Sequence, residues 1–192
     1  MQLDGLKVAV LVTDGYEPSE LTEPIRALRE AGAEPTIVSN HDGQITGKTD
    51  ADTALVDRTL DAATPSDYDA LLLPGGVKNP DTMRQVERGV AFVRHFADAG
   101  KPIAAICHAP WMLIEADVVR GRRLTSYPSL KTDLRNAGAE WVDEEVVTDR
   151  GLVTSRTPRD LPAFNAKMVE EFAEGIHGRT AGGAPAGASR VG

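Results

Sequence analysis

The sequence carries a single cysteine, Cys107, which excludes an intrachain disulfide and a cysteine-rich zinc site. Its four histidines, His41, His95, His108 and His177, form no H-x-x-x-H or H-x-H pair. No metal site is expected from that spacing, and no cofactor. Positive charge is in short supply: 21 Lys and Arg stand against 29 Asp and Glu, a net charge of -8. Nucleic-acid binding needs clustered cations, and the densest group, Arg120, Arg122 and Arg123, is broken by Gly121 and reads as a solvated turn. No apolar run approaches the ~20 residues that cross a bilayer, so no membrane partner is expected. Met1-Gln2-Leu3-Asp4-Gly5 lacks a basic stretch followed by an apolar run, so no secretory signal is expected. Together these absences predict a protein of the cytoplasm.

What is present suits one domain. The chain has 192 residues, 41% apolar and 26% charged, enough to close a core without staples. Short apolar runs alternate with amphipathic segments. KVAVLV (7–12), Pro35 to Ser39, DALLL (69–73) and PIAAI (102–106) read as buried strands. Helical spacing appears over Ser19 to Ala31 and again from Met83 through Val86, Val90 and Val93 toward Gly100. Further helices are expected from Ala109 to Ala116, from Leu130 to Ala137 and from Asp160 onward. Leu124 to Tyr127 reads as a strand. Asp42-Gly43 signals a hairpin turn, and Asp149-Arg150-Gly151 a second hairpin, between Glu145–Thr148 and Leu152–Ser155. No internal repeat is visible. The single domain is expected over residues 1–177. Residues 178–192, rich in Gly, Ala and Pro, are expected to form a flexible tail.

Strands alternating with helices predict a mostly parallel sheet covered on both faces. In such sheets ligand sites lie beyond the carboxyl ends of the strands. That rule gathers three loops, 14–20, 74–81 and 107–109, and these hold the chemistry-bearing residues. Cys107 falls where a strand pattern turns abruptly into a helix pattern, among the small residues Ala104, Ala105 and Ala109. This is the setting of a nucleophile elbow, where helix amides favour a thiolate. His108, next in the chain, can move protons near neutral pH. Gly75 and Gly76 allow close backbone approach, and the N–H of Gly76 with that of His108 would make an oxyanion hole. Glu17, with Glu20 as the alternative, is the carboxyl expected beside the sulfur, its pKa raised by burial and by the thiolate. Asp81 reads as the N-cap of a helix starting at Thr82, or as a group that orients a histidine.

Several of these segments, in this order, resemble one family. LLLPGG (71–76), KPIAAICHAP (101–110), TSYPSLKTDLRNAGAEWVD (125–143), TSRTPRDLPAF (154–164) and QITGK (44–48) are similar to the PfpI branch of the DJ-1/ThiJ/PfpI superfamily. The resemblance spans most of residues 6–174. It implies an α/β fold: a flavodoxin-like, class I glutamine-amidotransferase-like three-layer sandwich. It implies Cys107 as nucleophile with His108 behind it, Glu17 bonded to the sulfur, Gly76 as the oxyanion glycine and Tyr127 near the site. It also implies a homo-oligomer, a dimer or a larger ring, in which Asp81 reaches the histidine of a neighbouring subunit. Two positions depart from the pattern. Ala109 stands where glycine is usual, and Asp81 replaces glutamate on a loop one residue longer.

Three functions follow from the resemblance and the thiol. The first is a stress-response cysteine hydrolase acting on peptides or other acyl substrates. The second is a glyoxalase or deglycase, in which Cys107 adds to methylglyoxal or to its protein adducts. The third is a non-enzymatic sensor or chaperone, in which an exposed thiol of low pKa oxidises readily.

Overall fold

The computed structural model describes residues 2–176. The expected tail, 178–192, and His177 lie outside the described residues. The elements run β1 (Lys7–Leu11), α1 (Pro18–Glu30), β2 (Glu34–Ser39), β3 (Gln44–Thr46), β4 (Thr53–Leu55), β5 (Arg58–Thr59), β6 (Ala70–Leu73), α2 (Lys78–Met83), α3 (Glu87–Asp98) and β7 (Ile103–Ile106). They continue with α4 (Pro110–Glu115), β8 (Arg123–Leu124), α5 (Lys131–Asn136), β9 (Glu140–Trp141), β10 (Val147–Asp149), β11 (Leu152–Ser155) and α6 (Leu161–Glu174).

Seven strands form the main sheet in the order β10-β11-β7-β6-β1-β2-β5. Every pair is parallel except β10 with β11, the hairpin at the edge. The short apolar runs are buried because the sheet is covered on both faces, and their alternation sorts the side chains by side. Ala9, Leu11, Leu71, Leu73, Ile103 and Ala105 pack with Phe92 and Phe96 of α3 and Met112 and Leu113 of α4. Val8, Val10, Ala70, Leu72, Ala104 and Ile106 pack with Leu21 and Leu28 of α1 and Phe164, Met168 and Phe172 of α6. The result is a helix–sheet–helix sandwich, as expected.

Local departures have local causes. The apolar face read through Met83 and Val86 is split, because Val86 is extended (φ -93, ψ 104) and starts a new helix, α3. Met83 instead closes α2. Asp81 therefore lies inside α2 and caps nothing. The small hairpin exists, but Asp42-Gly43 precedes it. The turn falls at 47–52, where Gly47 N–H bonds the Asp52 carbonyl at 2.6 Å. The strand expected over Leu124 to Tyr127 shrinks to β8, paired with β9, because the chain must leave it to reach the site. Among the described residues no helix is long and apolar enough to cross a membrane.

From β1 the chain passes to β2 on one side and later to β6 and β7 on the other. The order thus reverses between β1 and β6, and the loops after β1, β6 and β7 meet at that switch point.

Candidate active site

Cys107 follows β7 directly and has φ 65, a left-handed conformation that costs a non-glycine residue about 1–2 kcal/mol. Two backbone hydrogen bonds hold it there. Its N–H donates to the carbonyl of Ser155 at the end of β11 (3.0 Å), and its carbonyl accepts from Tyr127 N–H (2.8 Å). This is the expected elbow. Ala109 sits comfortably behind it at φ -54, ψ -31, so a methyl group in place of the family's usual glycine adds no backbone strain.

The carboxyl packed beside the sulfur belongs to Glu20, not to Glu17. Pro18 opens α1, with its fixed φ suited to the first helical position. Glu20, two residues on, faces inward and is fully buried, whereas Glu17 lies outside the helix at the N-cap. Glu17 turns outward and pairs with Lys48 from the β3–β4 hairpin. Burial, then the charge of Glu17, raises the Glu20 pKa to about 8, so its carboxyl keeps its proton at neutral pH. The Cys107 thiol and the Gly75 N–H favour its charged form. Neither carboxyl oxygen completes a well-angled hydrogen bond with them, however, so these contacts offset only part of the desolvation.

The thiol is not the exposed, acidic group that the elbow suggested. Cys107 is 7% exposed, and burial, then the Glu20 charge, pushes its pKa up to about 12. The backbone N–H groups of Gly76 and His108, expected to serve an oxyanion, are aimed at the sulfur and act in the opposite direction. Helix α4 is only six residues long, so its dipole adds little to them.

The loop after β6 explains the close approach of Glu20. A Cβ on Gly75 would collide with Glu20 Oε2 and lie 2.7 Å from both Cys107 Cβ and the Ile106 carbonyl. Buried Asn79, which the sequence reading missed, fastens this loop. It accepts from Thr13 N–H (2.8 Å) and donates to the carbonyls of Pro74 and Gly75 (3.0 Å each).

His108 Nδ1 lies 3.1 Å from the sulfur, and Nε2 lies 3.3 Å from Ser129 Oγ. Burial lowers its pKa. Tyr127 stacks on the imidazole (4.5 Å between centroids, 23°), and Trp111 meets it edge-on at 5.2 Å. Beyond Trp111 the Arg84 guanidinium covers the indole at 4.6 Å. Arg84 donates two hydrogen bonds to Asp81 Oδ1, from Nη2 at 2.7 Å and from Nε at 3.0 Å. Within the chain Asp81 therefore serves Arg84 and not His108. The arginine lies one turn along from the aspartate, a spacing that the sequence did offer as a signal. Among the described residues no cluster of three or more His, Cys, Asp or Glu is arranged to hold a metal.

Asp81→Asn is expected to leave the rate of Cys107 alkylation at pH 7 within about twofold of the parent, because the Arg84 pair is a partly exposed one. Iodoacetamide labelling followed by mass spectrometry reads this. A tenfold fall would mean that Asp81 reaches a histidine in a second copy.

Comparison with known proteins agrees across nearly the whole described chain. The model of the DJ-1/PfpI family matches residues 6–171. A protein/nucleic acid deglycase 2 from Escherichia coli is 50% identical over 165 residues, covering 85% of this chain and 95% of that protein. General stress protein 18 from Bacillus subtilis is 47% identical over 167 residues, covering 86% and 96%. Among solved structures, DJ-1beta from Drosophila melanogaster superimposes with a TM-score of 0.81 at 34% identity, covering 88% of this chain and 91% of that one.

Proposed function

The chain belongs to the DJ-1/PfpI family, and on that footing we propose that it is an enzyme that converts 1,2-dicarbonyl compounds such as methylglyoxal, or their adducts on other molecules, into hydroxy acids. The observation that carries this reading is the Glu20–Cys107 pair, a buried carboxyl of raised pKa against a buried thiol. A group that titrates near neutrality can both give and take a proton, and the isomerisation of a dicarbonyl adduct requires both. The name of the Escherichia coli relative, a deglycase, supports the same class.

The steps balance as follows. The Cys107 sulfur bonds to the aldehyde carbon while its proton passes to His108 Nδ1. The carbonyl π pair moves onto oxygen, which takes the Glu20 proton and gives a hemithioacetal. The Glu20 carboxylate then removes the proton from the former aldehyde carbon while the His108 imidazolium protonates the neighbouring carbonyl oxygen, making an enediol and restoring the neutral ring. Glu20 returns that proton to the neighbouring carbon and takes up the proton of the first hydroxyl, which leaves a thioester beside a new alcohol: the first carbon is oxidised and the second reduced. Water cleaves the thioester, releasing the hydroxy acid and the thiol. Methylglyoxal plus water gives lactate, and no outside oxidant is needed.

The peptidase expectation has less support. A cysteine peptidase rests as a thiolate–imidazolium pair, whereas here burial favours the neutral thiol and the neutral imidazole at rest. The sensor expectation also has less support, since the thiol is buried and burial raises its pKa. A direct test incubates the protein with methylglyoxal and, separately, with casein, using Cys107→Ala as the blank. Lactate production without casein cleavage is expected. Casein cleavage without lactate would replace this reading with the peptidase one.

A further inference from the structure

The Cys107–His108 contact leaves open which imidazole nitrogen carries the proton, and that choice decides whether the ring can act. A neutral imidazole has one N–H and one lone pair. If the proton sits on Nδ1, the nitrogen 3.1 Å from the sulfur has no lone pair to offer. If it sits on Nε2, Nδ1 is free to accept the thiol proton. Tautomers of this kind are set by whatever the other nitrogen bonds.

We infer that Ser129 is the positioning residue that fixes His108 as the Nε2–H tautomer, its Oγ accepting the Nε2 proton so that Nδ1 faces the thiol as a base. Three features carry this. Ser129 Oγ lies 3.3 Å from Nε2. The ring cannot swing away, since Tyr127 stacks on it and Trp111 meets it edge-on. The hydroxyl also arrives on the segment that holds the elbow. Tyr127 N–H bonds the Cys107 carbonyl, and the 3-10 turn Pro128–Leu130 follows at once, so the clamp on the nucleophile and the acceptor for its base are one piece of chain.

Within the chain the other charged groups around the ring are engaged elsewhere. Asp133 accepts from Trp111 Nε1 at 3.1 Å, Asp81 holds Arg84, and Arg84 lies over Trp111. The charges of Glu20 and Lys48 couple to Cys107, whereas the ring's own shift comes from burial. When the base acts, the S–H bond breaks, the electron pair stays on sulfur and the proton moves to Nδ1. The resulting imidazolium donates from both nitrogens, to the sulfur and to Ser129. A neutral hydroxyl stabilises that cation less than a carboxylate does. The ring therefore returns its proton readily, as a shuttle must.

This inference rests on the reading that His108 takes the thiol proton, and its test uses no dicarbonyl. Ser129 is exposed on a turn, so Ser129→Ala is expected to fold and melt as the parent does. Nitrogen-15 NMR of the imidazole should show the Nε2–H form in the parent, a mixture of both tautomers in Ser129→Ala, and the parent pattern again in Ser129→Thr. Alkylation of Cys107 by iodoacetamide at pH 7 should slow about fivefold in Ser129→Ala, the scale of one ordinary hydrogen bond, and recover in Ser129→Thr. A Ser129→Ala protein that keeps both the parent tautomer and the parent alkylation rate overturns the inference. Absence of lactate production overturns the proposed function alone, since neither readout here depends on it.

Discussion

Glu20→Gln is expected to cut lactate production from methylglyoxal by about a hundredfold or more, the usual weight of a lost general acid–base group. The amide keeps the shape of the side chain and abolishes its proton transfer. Glu17→Gln should stay within about threefold, since it loses a partly exposed pair with Lys48 and the lesser cause of the Glu20 shift, while burial, the larger cause, remains. The two variants thus separate the carboxyl that sequence reasoning preferred from the one the structure places beside the sulfur. Equal losses in both would remove Glu20 from the proton path.

The same substitution has a signature in stability. The folded pKa of Glu20 is raised from 4.5 to about 8. An acid whose folded pKa is raised stabilises the fold fully below its unfolded value, and that contribution is lost as the pH climbs through the folded value. Between pH 4.5 and about pH 8 the protein should lose on the order of 4 kcal/mol through this group. Glu20→Gln should flatten that slope in urea titrations at a series of pH values, whatever its offset in absolute stability. A slope unchanged by the substitution would show that Glu20 ionises normally in the fold.

Gly76→Ala is expected to destabilise the protein by about 2–5 kcal/mol, combining a left-handed alanine with overpacking. Gly76 has φ +82, and a Cβ there would lie 2.5 Å from the Gly15 carbonyl oxygen and 2.8 Å from Glu17 N, both backbone atoms. A side chain could rotate away, but two crossing segments of main chain cannot. Gly121→Ala is the control. Its φ is +68, but nothing lies within 4 Å of the new methyl group, so only the conformational cost of about 1–2 kcal/mol remains. If urea midpoints move equally in the two variants, the crowding at Gly76 is not what holds this loop. Any Gly76→Ala protein that still folds should also lose Cys107 reactivity, since the N–H aimed at the sulfur would be displaced.

The parts of this molecule that could be read from sequence are those that local pattern dictates. KVAVLV, DALLL and PIAAI announced buried strands because a sheet covered on both faces needs apolar residues on both. Their order implied the switch point, and the switch point implied the loops. Cys107 and the two glycines followed from that geometry. What failed depended on which way a side chain faces at a helix start. Glu17 and Glu20 differ by three residues, and only the position of Pro18 within α1 decides which one enters the core. Lys48, Asn79 and Ser129 reach the site from separate segments, and no spacing in the chain announces them. Asp81 was read as a cap because it precedes Thr82. The helix begins earlier, at Lys78, and the aspartate's real partner lies one turn further along.

The two hydrogen bonds that hold the elbow also bear on when the protein becomes chemically competent. One partner is Ser155, at the end of the last strand, and the other is Tyr127. A ribosome-bound chain that has emerged only through α4 has its cysteine but neither anchor, and the left-handed turn relaxes at that backbone's preference. The nucleophile is thus assembled after the sheet closes. During synthesis Cys107 is an ordinary thiol, and the chain acquires its reactive geometry only when its carboxyl-terminal third has docked.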